Sequence, residues 1–385
     1  MMWRDGVVQA VRRSWGPVGR RCSELEVEVA ACPPGATLLK AGARLRAVVY
    51  EQLHGLPQPG QEVRLEVSAL VQGLGTGGHA MVTAVLGPLA ADQRAPGHLV
   101  KCRYTPDQLL VQGVDEQGTE HHQVLSGAQG QLSLEGMPVV VADLHSSLPA
   151  LVAGTLPASG KGGPRVVYVM TDGGALPLAY SRTVAALQAA GLLAGTVTTG
   201  QAWGGDVEAV SLHNGLLAAR LVLGADIAVV TQGPGNLGTD TPWGFSGTSC
   251  GEAVNAAAVL GGRPVACLRV SEADKRSRHR GLSHHSLTAY GQVALLTADV
   301  VVPVLPGVLG KQVREQAQAL GAPRAVGAQH QLVEVETAGL RAALEQVERL
   351  AGLRLSTMGR GLDDDAAAFL SAAAAGRHAA ALLGA

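Results

Sequence analysis

The chain has 385 residues, longer than the size at which one hydrophobic core stops growing, so two domains are expected. A net charge of −1 and an aromatic content of 3% exclude a chain built to attract nucleic acid or an acidic membrane surface, or to stack bases. Only 16% of residues are charged against 47% hydrophobic, which predicts surface buried between subunits and a homo-oligomer, with a dimer favoured.

The N-terminal MMWRDGVVQAVRR places an acid and arginines where a signal peptide needs an apolar core. No apolar run of membrane-spanning length is free of Gly, Pro, Asp or Arg, so no membrane partner is expected. Five scattered cysteines without a C-x-x-C pair fit free thiols in a reducing cytoplasm.

Residues 1–97 read as a small antiparallel β-barrel. Period-two alternation marks strands at Gly6–Arg12, Glu24–Val29, Arg44–Glu51, Glu62–Ser68 and His79–Leu86, with CPPG and LPQPG as turns. Residues 98–136 form a connecting segment or hairpin, whose polar stretch Asp115–Gln131 reads as loop.

From 137 to 385 the rhythm changes to apolar strand, polar loop and helix, which predicts a Rossmann-like three-layer α/β domain with a mostly parallel sheet. The strands are placed at Pro138–Ala142, Val166–Thr171, Gly195–Thr199, Ile227–Thr231, Pro264–Val270, Val300–Leu305, Leu332–Val335 and Leu353–Ser356. A helix capped by Asp206 is expected to carry Val207, Val210, Leu217 and Leu221 on its apolar face, with His213 in the core. Another spans Leu340–Leu350, and an Ala-rich helix follows Asp363–Asp365.

In such a sheet the loops leaving carboxyl strand ends converge on one crevice, where ligands bind. Two long polar loops leave strands there, TQGPGNLGTDTPWGFSG (Thr231–Gly247) and SEADKRSRHRGLSHHS (Ser271–Ser286). GPGNLG matches the dinucleotide fingerprint, but Pro234, Pro242 and Gly244 postpone the helix that must receive the pyrophosphate, which argues against NAD(P). GLGTGG (Gly73–Gly78) lies between strands and reads as a turn. GTSCG (Gly247–Gly251) matches a nucleophile elbow without the strand that must precede it, although Asp274 and His284 follow in hydrolase order.

His279, His284 and His285 are the acid–base candidates, because imidazole titrates near neutrality. Asp172 and Asp206, expected at neighbouring strand ends, are the orienting carboxylates. A divalent metal held by His279, His284 and Asp172 is an alternative use of the same residues, unsupported by any H-E-x-x-H spacing. Arg278 and Arg280 form an expected anion clamp, and Gln232, Gly233, Gly235, Asn236 and Thr239 a polar cradle. Arg182, Trp243 and His145 are expected at the lip.

VMTDGGALPLAYSRTV, TTGQAWGGDVEAV, TQGPGNLGTDTPWGFSG, HRGLSHHSLTA and STMGRG together resemble one bacterial family of conserved hypothetical proteins, carried as a domain of unknown function. The resemblance covers nearly the whole chain. It implies a soluble bacterial protein of the same two-part layout and assigns no catalytic residue. The residues themselves predict an enzyme, a hydrolase or transferase, acting on a small phosphate- or carboxylate-bearing metabolite. A non-catalytic ligand-binding regulator and a metal-dependent hydrolase are the alternatives.

Overall fold

A computed structural model describes residues 1–88, 91–92, 94–128, 131–157 and 162–384. They form two compact units. One comprises Met1–Pro96, Cys102–Leu110 and Ala179–Ala185; the other comprises Gly97–Lys101, Val111–Leu178 and Ala186–Ala385. Residues 129 and 130 of the loop expected at Asp115–Gln131 lie outside the described residues.

In the first unit, strands β1 (Trp3–Trp15), β2 (Cys22–Ala31), β3 (Arg44–Tyr50), β4 (Glu62–Glu66) and β5 (Ala80–Leu86) close a barrel in the order β1-β2-β3-β5-β4. The alternation in β2 turns Leu25, Val27 and Val29 into the core while Glu26 and Glu28 remain half-buried. Closure requires one departure from an antiparallel barrel. Because β4 pairs with β1, β5 must return between β4 and β3, and running antiparallel to β4 makes it parallel to β3.

Two short strands follow, β6 (Leu99–Lys101) and β7 (Leu109–Val111). The second unit is built on β8 (Pro138–Val141), β9 (Val166–Thr171), β10 (Gly195–Thr198), β11 (Val207–Glu208), β12 (Ile227–Gln232), β13 (Arg263–Cys267), β16 (Asp299–Val304) and β17 (Gln331–Glu336); β14 (Val270–Ser271) and β15 (Gly281–Leu282) form a small ribbon. The sheet order is β11-β10-β9-β12-β8-β13-β16-β17, and every pairing in it is parallel. Central strands are buried along their whole length, as continuous Val-rich runs require when both faces are covered. The chain leaves β8 for strands on one side and β13 for strands on the other, so a crevice opens between their carboxyl ends.

Two expectations fail here. Leu353–Ser356 joins no strand; Leu355 is buried, and its amide donates to Glu348 at 2.7 Å. The segment after Asp206 supplies the eighth strand instead, and the helix starts later, at Leu212–Leu221, with Ser211 as its cap. That delay leaves Val210 58% exposed and puts His213 on the surface rather than in the core.

The Ala-rich helix Ala366–Ala381 packs on Leu148–Thr155. A Cβ on Gly154 would fall 1.9 Å from the Ala373 carbonyl, and one on Gly376 would fall 2.0 Å from that of Leu151, so only glycine permits this approach. Ala366–Gly384 is long and apolar enough to cross a membrane by length and composition alone; it contains Gly376 and Arg377, and half of its most apolar window is buried inside the fold.

Candidate functional site

The ends of three adjacent strands, β12, β8 and β13, supply Gln232, Asp143 and Arg269. The polar loop after β13 returns to the same place and is stitched there. Ser283 N–H donates to the Arg269 carbonyl at 2.8 Å, and Arg269 N–H donates to Ser286 Oγ at 2.9 Å. Gly281, at φ 70°, allows the turn that brings β15 back onto β14. Ser283 then caps helix His284–Thr288, its Oγ accepting from His285 N–H, and the same hydroxyl lies 2.7 Å from His279 Nδ1.

The three histidines predicted from sequence therefore meet. Their ring centroids are 4.6–5.0 Å apart, and one ring nitrogen from each lies within 4.8 Å of the others. Phe245 stacks on His285 at 3.7 Å with planes 8° apart and meets His284 edge-on.

The carboxylate at this centre is Asp143. Its Oδ2 accepts from His285 Nδ1 and Arg269 Nη1, each at 2.9 Å, and its Oδ1 from Asn236 Nδ2 at 2.9 Å. Gln232 Nε2 donates to the Asp143 carbonyl at 3.0 Å. A Cβ on Gly247 would stand 1.9 Å from Asp143 Oδ1, so the start of the next helix can approach only as glycine. Burial opposes the charge on Asp143, but the bond from His285 and the Arg269 guanidinium outweigh it and hold the carboxyl below its usual range. His285 Nδ1 also lies 3.0 Å from Arg269 Nη1, so this ring nitrogen faces both the carboxylate and the guanidinium, and Nε2 is the one that neither holds.

Burial, reinforced by Arg269, pushes His279 down to about 3. Burial and then the neighbouring His285 and Arg278 lower His284. Both rings are neutral at physiological pH. Three buried polar atoms here have no hydrogen-bond partner among the described residues: His284 Nε2, Arg278 Nε and Gln232 Oε1. Buried polar atoms are normally satisfied, so these are positions for a ligand or water. A cavity of about 20 Å³ beside Asp143 and Arg269, lined also by Ser146 and Thr357, has room for about one water.

Other expected members stand elsewhere. Asp172 is exposed, and its Oδ2 accepts from Gln201 N–H at 2.9 Å, tying the loops after β9 and β10 and reaching no histidine. Asp206 bonds Thr196 and Gln188 beside the first half of β10, not at a carboxyl end. Arg182 belongs to the first unit, its guanidinium 6.0 Å from the Trp15 ring.

The expected clamp divides. Arg278 pairs with Asp240 near the histidines, whereas Arg280 lines a separate groove of about 490 Å³ with Glu272, Gln312 and Gln316. Gly233 serves packing rather than phosphate, since a Cβ there would meet the Ala175 carbonyl at 2.1 Å. Gly235, at φ 85°, makes a turn in open space. Thr239 bonds within the exposed hairpin toward Gly244, and Trp243 is 61% exposed at its tip. His145 is buried rather than at a lip. Its Nδ1 lies 2.9 Å from Tyr168 Oη, which bonds Thr231 behind Gln232, and burial lowers the imidazole to about 4.

Neither sequence motif survives as a catalytic device. The α-helix after GPGNLG starts only at Ser249. A 3-10 turn, Ser246–Thr248, rather than a strand, leads into Ser249, and Asp274 pairs with Arg276 and Arg360 rather than His284.

Asp143 and Arg269 are the residues the sequence reading missed. Their signals were a carboxylate directly after P-V-V-V-A and an arginine inside the apolar run P-V-A-C-L-R-V. Residues 46–376 match the model of a family described as a protein of unknown function. No curated protein matches the chain.

Proposed function

The chain belongs to the family DUF3866, whose function is unknown, and from the site alone we propose that it is an enzyme acting on a small anionic molecule by acid–base chemistry. The observation that carries the reading is the 2.9 Å bond from His285 Nδ1 to the buried Asp143. It orients the imidazole and leaves its Nε2 as the nitrogen to take a proton from water or a hydroxyl. Arg278, with an unpartnered Nε, supports an acidic group on the substrate. Gln232 Oε1 supports a donor beside it. The reaction class this supports is hydrolysis of, or group transfer from, a small phosphate- or carboxylate-bearing molecule.

A thermal-shift screen of nucleotides, sugar phosphates and acyl thioesters identifies the ligand, since binding raises Tm by mass action. Turnover of that ligand should then fall by about 100-fold or more in His285→Gln. A ligand that is bound but never converted, with affinity kept in His285→Gln, would make the protein a binding regulator instead.

The five free thiols support a reducing location and the low charge a homodimer. A monomer by light scattering refutes the second.

A further inference from the structure

The geometry points to a zinc ion held by His279, His284 and His285. The inference rests on the reading above for the location of the chemistry and changes one role, making His285 a ligand rather than the base. Each ring offers a nitrogen within 4.8 Å of the other two. Two of the rings are already held at Nδ1, His279 by Ser283 Oγ at 2.7 Å and His285 by Asp143 at 2.9 Å. Their Nε2 atoms are the ones left to coordinate. A carboxylate or hydroxyl on the far nitrogen is how metal-binding imidazoles are oriented. The third ring contributes independent evidence: His284 Nε2 is buried and has no hydrogen-bond partner among the described residues.

Charge does not forbid the ion. Arg269 is paired with Asp143, Arg278 with Asp240 and Arg276 with Asp274, so a carboxylate faces each of these guanidiniums. Three imidazoles and no oxygen or thiolate ligand favour zinc over magnesium or calcium. Three protein ligands leave a fourth position for water or substrate, on the pattern of catalytic rather than structural zinc. When bound, the ion supplies a water acidified toward neutrality. Asp172, expected as a ligand from sequence, is not part of the cluster.

The test uses the full chain, stripped with chelator and titrated with zinc against a chromophoric competitor, with cobalt(II) as the spectroscopic probe. Expected are one zinc per chain, visible bands of tetrahedral nitrogen-bound cobalt, and affinity about 100-fold weaker in His284→Gln. Asp143→Asn, which leaves all three ligands, should weaken zinc by about 10–100-fold. Absence of stoichiometric zinc, or equal affinity in His284→Gln, overturns the inference. If that variant fails to fold, the wild-type cobalt spectrum decides, and an octahedral spectrum or none counts against the site. Zinc bound without turnover of any ligand leaves the metal standing and removes the enzyme. Turnover unaffected by stripping but lost in His285→Gln does the reverse.

Discussion

Replacing Asp143 with alanine removes the acceptor shared by His285, Arg269 and Asn236. The Arg269 side chain is only 11% exposed, so its charge would be left desolvated and unpaired. Breaking a buried pair from one side costs about 3–5 kcal/mol. At about 2–4 °C per kcal/mol for a unit of this size, Tm falls by roughly 6–20 °C. Arg269→Met should cost less, about 2–3 kcal/mol, because His285 and Asn236 still serve the carboxylate. The double variant strands no charge, so its loss should fall short of the sum of the singles by about 2–3 kcal/mol. Urea unfolding followed by far-UV circular dichroism and by the fluorescence of Trp203, which is 1% exposed, measures all four corners. The lowered carboxyl fixes the pH dependence. Its contribution is complete above the unfolded value of about 3.9 and is lost as pH falls through the depressed folded value, so the Asp143→Ala deficit shrinks in acid. Losses that add within about 0.5 kcal/mol would refute the claim that these groups form one unit.

Three further outcomes are expected. Gly247→Ala places a methyl 1.9 Å from Asp143 Oδ1 and should displace the carboxylate, costing about 1–3 kcal/mol and weakening ligand binding in the thermal-shift assay; a wild-type response would contradict the close approach. His145, at about 4 folded and 6.5 unfolded, stays neutral while the unfolded chain gains a proton, so stability falls between those pH values by up to about 1.4 kcal/mol per unit. His145→Gln should remove that slope from urea curves, and parallel pH profiles would count against it. Lys101 donates to the Thr198, Ala202 and Ala209 carbonyls and pairs with Glu208 at 3.0 Å, all buried, so Lys101→Met should cost about 3–5 kcal/mol; a loss below about 1 kcal/mol in denaturant titration would show the pair to be solvated.

Wherever one face of an element met the core, the pattern of residues was readable. The alternation of Glu24–Val29 and the spacing of Leu340, Leu344 and Val347 led to the right elements because burial itself selects those positions. Val207–Glu208 was hidden because two residues are too few to show a period, and Asp206 imitates a helix cap. The meeting of His279, His284 and His285 could be read because one loop carries all three. Their partner Asp143 lies 142 positions away from His285, and only strand order, which depends on pairings remote in sequence, decides that it rather than Asp172 stands beside them. Glycines posed the other difficulty. Gly233 and Gly247 occur in strings that imitate phosphate and nucleophile motifs, yet both exist to let backbone or carboxylate approach.

The stitching of Arg269 to Ser283 and Ser286 has an evolutionary consequence. Its neck is sewn shut, and the apex beyond it is pinned as well: Glu272 N–H donates to Asp365, and the buried Asp274 pairs with Arg276 and Arg360. That apex carries Lys275, Arg276 and Arg278. Of these, Lys275 is exposed, so its charge can be exchanged over generations while the imidazoles keep their places.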